Sequence, residues 1–317
     1  MNALVWQGRD DPEEVGVSTR WHHHVQPFGP ASTGGVALMG FAVDEGVRRN
    51  AGRVGAADGP RALRGALAGL PVLGEPALWD AGDVTCPAGT AEGALEAAQD
   101  ALAQRVAAAI AQGCLPLVLG GGHEVAWGTF QGIARARPDL RRILIVNFDA
   151  HFDLRMAARA NSGTPFRQMA EWCQSSGRPF CYHVLGISRY ANTQALFDRA
   201  KALGVRHVLD DALQSEGYVA EAREALLQDL ADCEAVYLTV CLDVLPGGQA
   251  PGVSAPAALG VPLAHVQTLM NTVLASGKVL AADVAELNPG LDRDGLTARV
   301  AARLVARIAR AVQQGLA

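Results

Sequence analysis

Asp149-Ala150-His151-Phe152-Asp153 sets two carboxylates and an imidazole at alternate positions, directly after the apolar run Ile143-Leu144-Ile145-Val146-Asn147-Phe148. Such a run reads as a strand buried on both faces, the kind found in a parallel sheet. If the chain stays extended, residues two apart point the same way. Three donors then share one side of a strand's C-terminal end, where open α/β sheets bind ligands. Mixed oxygen and nitrogen donors suit Mn²⁺, Zn²⁺ or Fe²⁺. The competing reading is a polar loop after a strand, its histidine held by a carboxylate.

Two further strand ends carry donors. His123 follows Gly120-Gly121-Gly122, where the missing side chains let the backbone pass close to something, and Cys241 and Asp243 lie two apart after another apolar run. Six groups from three strand ends are too many for one closed tetrahedral site. They suit a two-metal site, which activates water and clamps the attacked centre. A Ser-His-Asp hydrolase is disfavoured because the sequence has no G-x-S-x-G, and Gly120-Gly121-Gly122-His123-Glu124 is not the G-x-G-x-x-G of a dinucleotide fold. Asp44 to Gly55 is too polar and glycine-rich for core. It reads as a long loop at a strand's end, either functional or simply solvated.

The elements that must position these groups alternate. Strands are expected at 36–43, 77–84, 114–119, 141–150, 182–188, 206–209, 235–242 and 279–286. Helices are expected at 59–69, with Pro60 at the first helical position, and at 90–112, 124–137, 165–174, 192–203, 216–231, 263–275 and 295–312. Eight strands in strict alternation with helices define an α/β chain with one parallel sheet. No linker, repeat or low-complexity tract divides it, so residues 1–317 are expected to form a single three-layer αβα domain behind an irregular arm, 1–34. Arg299, Arg303, Arg307 and Arg310 stripe the last helix as a solvated face or oligomer contact. His22-His23-His24 reads as a weak surface metal patch or a solvated piece of the arm.

Half of the 317 residues are hydrophobic, enough for a sizeable core. A net charge of -5 gives no reason to expect nucleic acid. No apolar run approaches the ~20 residues that cross a bilayer. Acidic Asp10, Asp11, Glu13 and Glu14 stand where a signal peptide would be basic, then apolar. Six scattered cysteines without a CxxC pair match cytoplasmic thiol usage.

In this order, Gly-Gly-x-His at 120–123, Asp-Ala-His-x-Asp at 149–153 and the late Cys-x-Asp at 241–243 resemble the arginase/agmatinase (ureohydrolase) superfamily, from about Val36 to the C-terminus. The resemblance implies an arginase-like αβα fold and two Mn²⁺ ions per subunit hydrolysing a guanidino or amidino C–N bond. By that match, His123 and Asp153 hold one ion, His151 and Asp243 the other, and Asp149 bridges. Within the superfamily, 40–50, Asp149–Arg155, Ser162-Gly163-Thr164-Pro165-Phe166 and Cys241–Pro246 resemble the formimidoylglutamase branch. That implies hydrolysis of an acidic amidine, N-formimidoyl-L-glutamate, to L-glutamate and formamide in histidine degradation. Asp153 is then placed to take a proton from water, and Glu286 to hold the amidinium. Arg155 follows the metal motif, where arginases contact the substrate carboxylate, and an arginine fork suits a carboxylate. Arg189 and Asn192 are further substrate-binding candidates. Cys241 departs from the arginase pattern, where a second bridging aspartate stands, and Ser162 falls near a histidine of agmatinases. Two rivals remain: an agmatinase or other ureohydrolase, for whose basic substrate Arg155 would be repulsive, and a catalytically silent arginase-like binding protein.

Overall fold

A computed structural model of the chain describes residues 6–86 and 93–315. Its elements in order are α1 (Trp21–His24), β1 (Gln26–Pro27), β2 (Val36–Ala42), α2 (Glu45–Arg49), α3 (Gly59–Ala68), β3 (Leu78–Thr85), α4 (Ala94–Ala111), β4 (Leu115–Leu119), α5 (Val125–Ala136), β5 (Ile143–Phe148), α6 (Pro165–Ser175), β6 (Cys181–Ile187), α7 (Gln194–Ala202), β7 (Arg206–Leu209), α8 (Glu216–Asp232), β8 (Ala235–Cys241), α9 (Leu263–Leu274), β9 (Val279–Ala285) and α10 (Leu296–Gly315).

The strands form one parallel sheet in the order β1-β3-β2-β4-β9-β8-β5-β6-β7. Every residue of β4, β5 and β8 is buried, which is why those segments read as unbroken apolar runs rather than alternating ones. Side chains of α4, α5 and α6 pack on one face around Phe130, Phe166 and Leu102. Side chains of α3, α8, α9 and α10 pack on the other around Leu63, Leu226 and Leu304. The result is three layers.

Eight strands are expected and nine are present among the described residues, because the arm is not irregular throughout. Trp21 is fully buried, and Gln26 and Pro27 add an edge strand paired with Trp79 and Asp80 of β3. Two residues with no apolar alternation give no sequence signal, and a proline is tolerated there because the strand is at an edge. The histidine triplet docks the arm: His22 Nδ1 is 2.9 Å from the Ala68 carbonyl and His24 Nε2 bonds the Pro76 carbonyl, while within the arm His22 and His23 reach Asp10 Oδ1 at 3.1 and 2.7 Å. The expected start of α4 at 90–92 lies outside the described residues.

The Asp44–Gly55 stretch is also corrected, from loop to the short helix α2 followed by a turn. Its charges are paired: Glu45 bonds the exposed Arg48 and the largely covered Arg49, while Gly46 and Val47 are buried. The arginine stripe of α10 is only partly solvated. Arg299 and Arg303 are exposed, whereas Arg307 donates to Asn271 and Arg310 to the buried Glu75 across a groove beside α9, at the sheet end opposite the donor residues.

Candidate metal centre

The donors come from the C-terminal ends of β4, β8 and β5, with Glu286 at the end of β9. These four strands are consecutive neighbours at the middle of the sheet. Adjacent strands lie ~4.8 Å apart, so residues distant in sequence share a patch ~14 Å wide. Beyond β4, Gly120 N donates to Val284 O and Gly121 O accepts from Glu286 N, both at 2.8 Å. A Cβ on Gly121 would collide with the Val43 carbonyl. The glycine run therefore threads between β2 and β9 and delivers His123 to the centre.

His123 Nδ1 lies 2.9 Å from Asp149 Oδ2 and 3.1 Å from Asp153 Oδ2. His151 Nδ1 lies 3.5 Å from Asp149 Oδ1 and 3.2 Å from Asp243 Oδ2. Asp149 thus turns one oxygen toward each imidazole. Two groups here have donor atoms within 4.8 Å of one another: His123, Asp149 and Cys241, and Asp149, His151 and Asp243; a third among the described residues, Asp10, His22 and His23, lies in the N-terminal arm and is largely exposed. Asp149 belongs to both. His123 Nδ1 and Asp243 Oδ1 are buried and make no hydrogen bond. Three carboxylates, a thiol and two imidazoles in one buried cluster suit divalent cations. The residues present fit a metal.

The route to this convergence differs from the extended strand expected. β5 ends at Phe148, and Asp153 has φ of 48°. Cys241 ends β8, and Leu242–Val244 is a 3₁₀ turn. Glu286 (φ 72°) and Ala51 (φ 58°) are also left-handed, so three of the four non-glycine residues of positive φ among those described line this cavity. Such backbone is unfavourable for residues with a Cβ and persists where its surroundings hold it. Here Asn192 does part of that work. Its side chain accepts from Phe152 N at 3.1 Å and donates to Ala150 O and Ser188 O at 2.8 Å.

Polar residues inside otherwise apolar strands support the donors from below. Asn147, Thr239 and Asp283 stand in register across β5, β8 and β9. Asn147 Nδ2 donates to Asp149 Oδ2 at 3.1 Å, and His151 N donates to Asp149 Oδ1 at 2.7 Å. His123 Nε2 is 3.0 Å from Thr239 Oγ1, which orients the ring with Nδ1 toward the acids. Asp283 accepts from the Tyr237 hydroxyl. None was singled out from sequence, although a lone polar residue in a doubly buried strand was the available signal.

The electrostatics follow from this crowding. Burial opposes charge on His123, but Asp149 and then Asp153 outweigh it and hold its pKa well above the ordinary value. His151 is likewise raised against burial by Asp243 and Asp149. The field that favours a proton on these rings favours a metal cation between them. Burial opposes ionisation of Asp149, yet His123 and His151 bring its pKa below the usual range. Burial, then Asp149, raises Asp153. Burial, then Asp149 and Asp243, pushes the Cys241 thiol well up. Glu286 rises to about 8 through burial and the nearby Glu124 and Asp243 carboxylates, while its Oε1 accepts from His123 N at 2.8 Å.

A cavity of about 280 Å³ opens over the cluster, lined by His123, His151, Asp153, Cys241, Asp243 and Glu286. Val47, Asn50, Gly52 and Arg53 form one wall, and Arg155 and Ser162 another. Arg155 is exposed at the rim. Two expected substrate contacts are not brought here. Asn192 spends its amide on backbone, as above, and Arg189 is exposed and outside the lining. Proximity in sequence to the end of β6 did not decide where their side chains go.

Residues 34–310 match the Arginase family, and the chain belongs to that family. It is 53% identical over 315 residues to a formimidoylglutamase of Ralstonia nicotianae, covering 97% of this chain and 95% of that one. It is 53% identical over 309 residues to a formimidoylglutamase of Aeromonas hydrophila, covering 96% of each. Among solved structures, formimidoylglutamase from Bacillus subtilis shares the fold with a TM-score of 0.84 over 96% of this chain and 94% of that one, at 21% identity. Trypanosoma cruzi formiminoglutamase, solved with Mn²⁺, superposes with a TM-score of 0.77 at 26% identity over 89% of this chain and 94% of that one.

Proposed function

We propose that the chain hydrolyses N-formimidoyl-L-glutamate to L-glutamate and formamide, as a manganese-dependent enzyme of histidine degradation. The substrate assignment rests on 53% identity to formimidoylglutamases across nearly the whole of both chains. The observation that carries the chemistry is Asp149, with one oxygen toward His123 and the other toward His151.

In this reading His123, Asp149, His151, Asp153, Cys241 and Asp243 would hold manganese, two ions per subunit, with His123 and Asp153 toward one and His151 and Asp243 toward the other. Bound there, the cations would supply Lewis acidity and activate water for attack on the formimidoyl carbon. Asp153 accepts the proton released by that water. Glu286 faces the cavity and would pair with the cationic amidine, whose charge favours the ionised carboxylate against the burial that raises it; the contact favours the attacked form. Arg155 at the rim takes a glutamate carboxylate through its guanidinium fork. Asn147 and Thr239 keep Asp149 and His123 aimed, so little rearrangement is needed when the cations enter. The glutamate nitrogen takes up a proton, balancing the one lost by water, as its C–N bond breaks, and glutamate and formamide leave. We read the one sheet as a single domain, and free thiols at all six cysteines fit a reducing, cytoplasmic compartment.

The test is product identification after manganese-loaded protein is incubated separately with formimidoylglutamate, agmatine and arginine. Formamide plus glutamate, from the first alone, is expected. Ammonia plus formylglutamate would mean a deiminase, and turnover of agmatine would move the chain to another branch.

A further inference from the structure

The Glu124 carboxylate belongs neither to the donor cluster nor to the cavity lining, yet it is 1% exposed. Its neighbour His123 is fixed by Glu286 through the backbone N–H. Glu124 reaches the other way: its Oε1 accepts from Gly46 N at 2.7 Å, across 78 residues of sequence. Gly46 is in the first turn of α2, whose N–H groups have no partner within the helix. Asp44, which precedes α2 and is the usual residue type for that task, instead accepts from Gly55 N at 2.6 Å. Helix α2 is therefore capped by a carboxylate from another strand's end.

The fit is close. A Cβ on Gly46 or on Gly122 would run into the Glu124 carboxylate. The far end of α2 builds the cavity wall. Asn50 Nδ2 donates to Ser162 Oγ at 3.1 Å, Arg49 donates to the Ala160 carbonyl at 3.0 Å, and Asn50, Ala51, Gly52 and Arg53 line the cavity. Nothing else among the described side chains bonds the first-turn N–H of Gly46.

We propose that Glu124 is a positioning residue for substrate recognition, fixing the Asp44–Gly55 wall relative to His123 without holding metal or touching substrate. The inference rests on the proposed reaction only for the choice of substrate. Loss of this tether loosens the α2 end of the wall, whose far end stays tied through Arg53 to Ser254 and Val253 and through Asn288 to the Arg53 and Val54 carbonyls. The donor cluster stays intact, so binding suffers more than metal loading. A glutamine keeps an oxygen at the acceptor position, whereas a methionine matches the volume and accepts no strong hydrogen bond.

Glu124→Gln and Glu124→Met are compared with wild type at saturating manganese. KM and kcat for formimidoylglutamate, bound manganese, and hydrogen exchange of the 44–55 peptide are measured on each. The expected result is a KM raised on the order of tenfold in Glu124→Met, the scale of one lost charge-assisted hydrogen bond. Its kcat should stay within about threefold, with manganese unchanged and faster exchange confined to 44–55. Glu124→Gln should restore KM to within about twofold of wild type. Equal KM values in wild type and Glu124→Met would overturn the proposal. So would a Gln variant as impaired as Met, a primary loss of manganese, or a Met variant that does not fold, which would make Glu124 a core residue. A wild type inactive on formimidoylglutamate refutes the substrate reading instead, and the exchange measurement then decides the tether by itself.

Discussion

Thr239→Val removes one hydroxyl and almost no volume from the middle of β8. Its purpose is to leave His123 Nε2 without the partner it has at 3.0 Å. Both residues are buried, at 2% and 0% exposure, so water cannot replace the hydroxyl. For Nδ1 to bind a metal its lone pair must be free, so the proton sits on Nε2 and needs an acceptor. Without metal the ring has an escape: it sheds the Nε2 proton and keeps the one on Nδ1, which faces Asp149 Oδ2 2.9 Å away. Only the metal-loaded state is forced to bury an unpaired N–H, at a cost of about 1–3 kcal/mol. That corresponds to roughly 5- to 150-fold, overlapping the ~10–100-fold cost in metal affinity usual for partners of ligating histidines. The assay is bound manganese and activity against free Mn²⁺ for both proteins. A rightward shift of at least about tenfold, with near-normal kcat at saturation, is expected. Superimposable titrations would refute the claim that Thr239 sets the tautomer and aim of His123.

Asp149→Ala should abolish both manganese binding and turnover while the fold, read by far-UV circular dichroism, survives; wild-type metal content and turnover in that variant would remove Asp149 from the site. Arg155→Ala should lower kcat/KM for formimidoylglutamate about tenfold, since the side chain is exposed and solvent screens part of its charge. An analogue lacking the glutamate carboxylates should be unaffected, and an equal loss on both would place Arg155 in a structural role. The Cys241 thiol, pushed well up by burial and then by Asp149 and Asp243, must lose its proton to bind metal. Manganese affinity should therefore fall as pH drops, and Cys241→Asp should bind more tightly with a shallower pH dependence; identical pH profiles for the two proteins would exclude the sulfur as a ligand.

The strands, the helices and most of the donors were legible because their signals are local. A doubly buried strand must be apolar along its length, so carboxylates, histidines and a Cys-x-Asp pair at such strands' ends stand out without any alignment of the chain in space. Glycine carried information where backbone had to pass backbone, as Gly121 does under Val43. The tertiary structure decided what depends on pairing between distant segments. Strand order is set by which hydrophobic faces fit together, and only β4-β9-β8-β5 adjacency puts Glu286 against His123. The left-handed backbone at Asp153 and Glu286 is imposed by surroundings rather than by local preference. The register of Asn147, Thr239 and Asp283, the diversion of Asn192 to backbone, and the capping of α2 by Glu124 all join residues far apart in sequence. Local composition shows that such polar residues are buried and need partners, but the partner is chosen by the packed chain.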